Sequence, residues 1–182
     1  MTPDTLLGLA NLTVPRKPDR GPTNHPDPLA SPATAAASLG LEHVDGRQLR
    51  ALRELHDTIV QLVECLLDGR PVVRAAARLS KLAQPSTATA RVDVDETRTL
   101  RTQLQWSDPT PAATLARRVA IELGEIDIAR LKRCERPACN LVFYDKTRSG
   151  TQRWHAESPC GNRERQYRYR AARHASPPAE KH

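Results

Sequence analysis

The chain has 182 residues, too few for a large multidomain enzyme, and 38% are apolar. Only six are aromatic, so a core must be built from Leu, Val, Ile and Ala. The net charge of +7 is segregated: residues 130–182 carry 13 Lys/Arg against 5 Asp/Glu, whereas residues 1–129 carry 15 against 16, which reads as a near-neutral body joined to a polyanion-binding end.

The chain opens on a short apolar stretch, Leu6 to Leu12, with no basic residue before it, which does not read as a secretory leader. No apolar run approaches the roughly 20 residues needed to span a bilayer. A cytoplasmic protein with no membrane partner is expected, and its four cysteines read as thiols or metal ligands rather than disulfides. The weight of Arg over Lys, with the Ala content, points to a GC-rich bacterial source.

Residues 13–38 hold six prolines (15, 18, 22, 26, 28 and 32) among charged and small residues and predict an irregular loop. From Asp45, a plausible N-cap, the residues Leu49, Leu52, Ile59, Leu62, Val63 and Leu66 recur at helical spacing up to a stop at Gly69, Arg70 and Pro71. A second helix fits residues 72–83. Ala90 to Val94 and Leu100 to Trp106 alternate around Asp95, Glu96 and Thr97, as in a β-hairpin. Thr110 before Pro111 is a good helix start, and Leu115, Val119 and Leu123 carry its apolar stripe to about Gly124. Nothing in this body, residues 1–129, identifies a reaction. Cys65 falls within the first long helix and reads as a small buried hydrophobe.

The informative segment is 130–175, followed by a tail, 176–182. Cys134 and Cys139 form C-x4-C, and after fifteen intervening residues His155 and Cys160 form H-x4-C. Two close pairs of soft donors suit one tetrahedral zinc ion, because bonds of about 2.0–2.3 Å require each pair to converge from one tight turn. Short strands are expected at 128–132 and 141–144, and a helix from about Asn162 to His174. The fold class is therefore α+β: a mainly helical N-terminal domain with one hairpin, then a small zinc finger made of a knuckle turn and a helix. Four protein donors leave no open coordination position, so the zinc should be structural and no enzyme is expected. The run from His155 to Glu157 imitates the H-x-E of zinc deaminases, but no P-C-x-x-C follows it.

Beyond the cysteines, Phe143, Tyr144, Asp145, Thr147, Arg148, Arg153, Trp154 and above all the run Cys160, Gly161, Asn162, Arg163 resemble the CGNR zinc-finger family. The order of elements in the body and the opening stretch 6–12 are also similar to that family. Its members are described as stress-induced bacterial transcription regulators, which implies DNA binding by the finger and a body that senses a small ligand or forms a homodimer. Where the family has Cys after the Trp, this chain has His155. That implies a site of three Cys and one His, the alternative being a site that has lost this ligand.

After Arg163 come Arg165, Arg168, Arg170 and Arg173, interleaved with Tyr167 and Tyr169. On a helix, Arg163, Tyr167 and Arg170 share one face with Arg173 nearby, and Arg165 and Arg168 point roughly opposite. Lys146, Arg148 and Arg153 add charge close to the metal. These eight cations are the candidate contacts to duplex DNA. Arg163 could instead bond the zinc turn. RNA binding or a protein–protein adaptor is the competing function.

Overall fold

The structure is a computed structural model that describes residues 2–13, 27–137 and 139–175, with the backbone alone for 171–175. It is α+β, and its chain clusters into two compact units that meet in sequence between Ile128 and Ala129.

The first unit is helical. Helix α1 spans Asp4–Ala10, α2 Pro32–Leu39, α3 Gly46–Leu67, α4 Val73–Ala83 and α5 Pro111–Glu125. The caps expected at Asp45 and Thr110 are both made. Asp45 accepts from the Gln48 amide at 2.7 Å while the Gln48 side chain accepts from the Asp45 amide at 2.9 Å, so two otherwise orphaned donors are satisfied reciprocally. Thr110 accepts from the Ala113 amide at 3.2 Å with Pro111 at the first helical position. Beyond α3, Gly69 takes φ 63°, which lets the Arg70 amide close back on the Cys65 carbonyl at 2.8 Å.

The stripe expected on α3 becomes the core, except that Leu66 is only half-buried and Leu55, outside the stripe, is fully buried. Leu52, Leu55, Ile59, Leu62 and Val63 are buried there against Leu6 and Leu9 of α1 and Ala112, Ala113, Ala116 and Val119 of α5. The alanines are what allow α5 to sit close to its neighbours, and each fully buried Leu or Ile contributes about 2–3 kcal/mol. Cys65 is buried on the same helix, as a small hydrophobe would be.

Two short helices fall where sequence reasoning placed none. Of the irregular loop expected over 13–38, residues 14–26 lie outside the described residues, but Pro32–Leu39 is helical. Ser31 and Thr34 close its N-terminus as a capping box, and Ala35 is fully buried, so local capping and packing override the proline-rich composition. Helix α1 is started from elsewhere in the fold. The buried Glu122 carboxylate of α5 accepts from the Thr5 and Leu6 amides at 3.0 and 2.8 Å.

Strands β1, Thr87–Val94, and β2, Leu100–Ser107, form an antiparallel ribbon with Val92 opposite Thr102 and Ala88 opposite Trp106. Its turn end, at Val94 and Leu100, is as the alternation implied, whereas its open end is longer, by three residues on β1 and one on β2. No described helix is long and apolar enough to cross a membrane.

Where the chain passes into the second unit Ile128–Arg130 is a 3-10 turn, not the start of a strand, and β3 is Leu131–Arg133. The turn carries the Arg130 guanidinium onto the carbonyls of Asp145 and Thr147, at 3.1 and 2.7 Å. Strand β3 pairs antiparallel with β4, Val142–Tyr144. Helix α6 spans Asn162–Ala175 and follows a tight turn over Glu157–Gly161.

Candidate metal centre

Each half of the site is built from a local device. The β3–β4 pairing continues into the first knuckle, where the Cys134 amide donates to the Leu141 carbonyl at 2.9 Å and the Cys139 amide to the Arg136 carbonyl at 2.8 Å. That turn brings Cys134 and Cys139 together. The second half is the turn before α6, in which the Gly161 amide donates to the Ala156 carbonyl at 3.3 Å. Gly161 leaves room for a close approach there: a Cβ would lie 3.1 Å from Trp154 Cε3 and 2.6 Å from a Glu157 carboxylate oxygen. The ring can close on the cysteines because residue 161 has no side chain.

The four expected ligands converge. One donor atom from each of Cys134, Cys139, His155 and Cys160 lies within 4.8 Å of all the others. The three cysteines are 4% exposed or less, and Leu141 and Trp154 pack against them. Cys139 Sγ and His155 Nδ1 are 3.5 Å apart. A tetrahedral zinc with bonds of about 2.3 Å to sulfur and about 2.0 Å to nitrogen spaces its S and N donors by about 3.5 Å, so this edge already has the right length. The donor set therefore fits one zinc ion, and its four protein ligands make that ion structural.

Electrostatics are consistent with a bound cation. Burial pushes the Cys139 thiol up to about 12, with repulsion from Cys134 adding to it. Burial also raises Cys160, against a hydrogen bond from Arg136, and lowers the His155 imidazole. Three thiolates crowded in a dry site are unfavourable by themselves; a bound divalent cation inverts that balance and deprotonates them.

A second cluster holds the loop between the two halves. Asp145 is fully buried and accepts from the Thr147 amide at 2.9 Å, the Thr147 hydroxyl at 2.6 Å, the Gln152 amide at 2.8 Å and Lys132 Nζ at 2.8 Å. Burial works against its charge, but these donors outweigh it and hold the carboxyl well below the usual carboxylate range. Lys132 also donates to the Gly150 carbonyl at 2.5 Å. Sequence reasoning used Asp145 only as part of a resemblance and gave Lys132 no role.

The eight expected cationic contacts separate into groups. Lys146 and Arg148 stand exposed on the 145–150 loop. Arg153 bonds Glu135 at 2.6 Å and lies 5.3 Å from the Trp154 ring centre. Arg165 pairs with Glu157 and bonds the Asn162 side chain at 2.6 Å, and Arg168 pairs with Glu164 one turn back at 3.0 Å. Arg163 and Arg170, on the face expected for them, line a groove of about 490 Å³ with Glu164, Gln166, Tyr167, Arg136 and Pro137. Arg173 falls in α6, where the backbone alone is described. Arg136 and Gln166 were missed. Helical spacing from Arg163 would have found Gln166 at the next turn, whereas Arg136 joins the face only once the knuckle has folded.

Residues 130–173 match the family model described as CGNR zinc finger, and that segment is a CGNR zinc finger. No curated protein matches the chain.

Proposed function

We propose that the finger binds duplex DNA and that the chain acts as a transcription regulator. The observation that carries this reading is the groove along α6. Arg163 and Arg170 from the helix and Arg136 from the knuckle put three guanidinium groups around one concave surface, with Gln166, Tyr167 and the Glu164 carboxylate, which is paired with Arg168, on the same surface. Guanidinium groups suit phosphate oxygens and the O6/N7 edge of guanine, and Gln suits adenine. Zinc, when bound, orders the knuckle that holds Arg136 and the turn that starts α6, so metal binding and nucleic-acid binding are coupled through the fold. Four protein donors and a closed shell suit scaffolding rather than catalysis.

Tyr167, 70% exposed, favours a second reading, in which single-stranded RNA stacks on the ring. Fluorescence anisotropy of the zinc-loaded protein on a labelled random duplex, repeated over a salt series, separates the two. About five phosphate contacts give a log–log slope near −4.5, or roughly a twentyfold loss of affinity per doubling of salt. That slope, abolished by a chelator, is the expected result. Equal affinity for single-stranded RNA would favour the second reading, and no binding at low salt would sink both.

A further inference from the structure

The β1–β2 ribbon has a face that is largely exposed among the described residues, although at its Trp106 end the Arg117 guanidinium of α5 lies 4.4 Å from the ring centre and leaves that residue 38% exposed. Directly paired residues share a face in an antiparallel ladder, so Ala88, Ala90, Val92 and Val94 lie beside Trp106, Leu104, Thr102 and Leu100. The opposite face carries Thr89, Arg91, Asp93, Arg101, Gln103 and Gln105. The ribbon is thus amphipathic, yet its apolar side is in water: Leu100 is 71% exposed, Val94 63%, Val92 61% and Leu104 58%. A lone two-stranded hairpin is marginal in water, and half-apolar ribbons of this kind are normally one layer of a two-layer structure.

The hairpin is nevertheless well specified. Asp95 accepts from the amides of Thr97 and Thr99 at 2.9 and 3.0 Å and pairs with Arg101 at 3.0 Å, which fixes the turn and the register. The apolar face is therefore presented by design of the turn rather than by slippage.

We infer that this face is a homodimer interface, on which the ribbon of a second copy packs to form a two-layer β-sandwich. Area is the first argument. Val92, Val94, Leu100, Leu104 and Trp106, at their exposed fractions, leave roughly 500 Å² in one patch, in the upper part of the range for the largest patch on a monomer, a size that is often functional. Two such faces together bury roughly 1,000 Å², the threshold for a specific interface. Charge is the second. Residues 87–107 carry three Arg and three acidic groups, so the ribbon is neutral in a chain of net charge +7. A neutral apolar face meets its own copy without repulsion and offers a polyanion nothing. Packing one ribbon face on itself is isologous and closes as a two-fold dimer.

Sedimentation equilibrium of the zinc-loaded full chain, up to about 200 µM, tests this. A dimer is expected. Leu104→Lys should weaken it at least about a hundredfold, whereas Gln103→Lys, on the polar face of the same strand, should leave it intact. A monomeric wild type, an unaffected Leu104→Lys dimer, or equal weakening by both substitutions would overturn the inference. Hydrogen–deuterium exchange provides a check that needs no variant. Uptake over 87–107 should fall as protein concentration rises through the dimerisation range, and uptake there that ignores concentration is incompatible with the interface.

Discussion

Lys132 Nζ lies 2.8 Å from Asp145 Oδ2, and the carboxylate is fully buried, so strand β3 is tied to the loop after β4 by a charge pair with three further donors on the same carboxylate. The pair spans thirteen residues and fixes the loop joining the two zinc half-sites. Breaking one member of such a network leaves the other charge desolvated and unpaired. Asp145→Asn is therefore expected to lower the finger's unfolding midpoint by several degrees. Amide exchange is the sharper measurement. The Thr147 and Gln152 amides, which donate to Asp145, should lose protection at least tenfold while the α3 amides keep theirs. Unchanged protection at both would mean the cluster holds nothing.

Zinc itself has a larger effect. Cys139→Ser and Cys160→Ser each remove a buried thiolate from a four-donor site, and a small finger with few apolar contacts of its own does not fold without its metal. Both variants should lose stoichiometric zinc by metal analysis, and the α6 signal by NMR, while the helices of the first unit persist. His155→Cys should retain zinc because thiolate and imidazole both suit a tetrahedral ion, whereas His155→Ala should bind it at least tenfold more weakly. Full zinc occupancy in either serine variant would rule out the ligand set.

Gly161→Ala examines packing rather than chemistry. The added methyl would sit 3.1 Å from Trp154 Cε3 and 2.6 Å from a Glu157 oxygen. Glu157 can swing away, at the expense of its pair with Arg165, but the ring is wedged against the cysteines. A cost of about 1–3 kcal/mol is expected, from overpacking. Competition against a chromophoric chelator would register it as weaker zinc binding, and wild-type affinity would show that the ring can give way.

In the helical unit, Arg117 donates to both Asp108 carboxylate oxygens at 3.0 and 2.7 Å. Arg117 is the main cause that lowers the Asp108 carboxyl to about 2, against burial. A carboxyl depressed in the folded state stabilises it fully above its unfolded value of about 3.9, and that stability is lost as pH falls towards about 2. Thermal melts between pH 5 and pH 2 should fall more steeply for the wild type than for Arg117→Met, which is expected to be about 1–2 kcal/mol less stable at pH 7. Parallel curves would mean the pair contributes nothing.

Legibility in the sequence followed how local each feature is. Asp45 and Thr110 cap helices within three residues of themselves, and the paired spacings of Cys134, Cys139, His155 and Cys160 announce two turns, so both kinds of signal can be read from a short window. Helix α1 could not be read that way. Its seven residues are too few to nucleate alone, and its N-terminus is closed by Glu122, 116 residues beyond Leu6. Helix α2 was obscured by the prolines around it. In the finger, the two faces of α6 were legible from helical spacing. The Glu164 partner of Arg168 lies at i,i+4 spacing on the same helix, but the Glu157 partner of Arg165 was not legible, because it reaches Arg165 only across the zinc turn.

That division of α6 yields the last prediction. Arg165 and Arg168 pair with Glu157 and Glu164, and Arg136, Arg163 and Arg170 line the groove together with Glu164. If the groove holds the phosphate backbone, Arg136→Ala and Arg170→Ala should each flatten the salt slope of DNA binding by up to about one unit and weaken binding across all sequences. Arg168→Ala should change the slope by less. Its removal also leaves Glu164, which lines the groove, without its cation, so a modest loss of affinity can follow from repulsion alone. The slope separates these causes: a lost phosphate contact changes counterion release, and repulsion from one uncovered carboxylate changes it far less. A larger change in slope for Arg168→Ala than for Arg170→Ala would place the DNA on the opposite face of the helix.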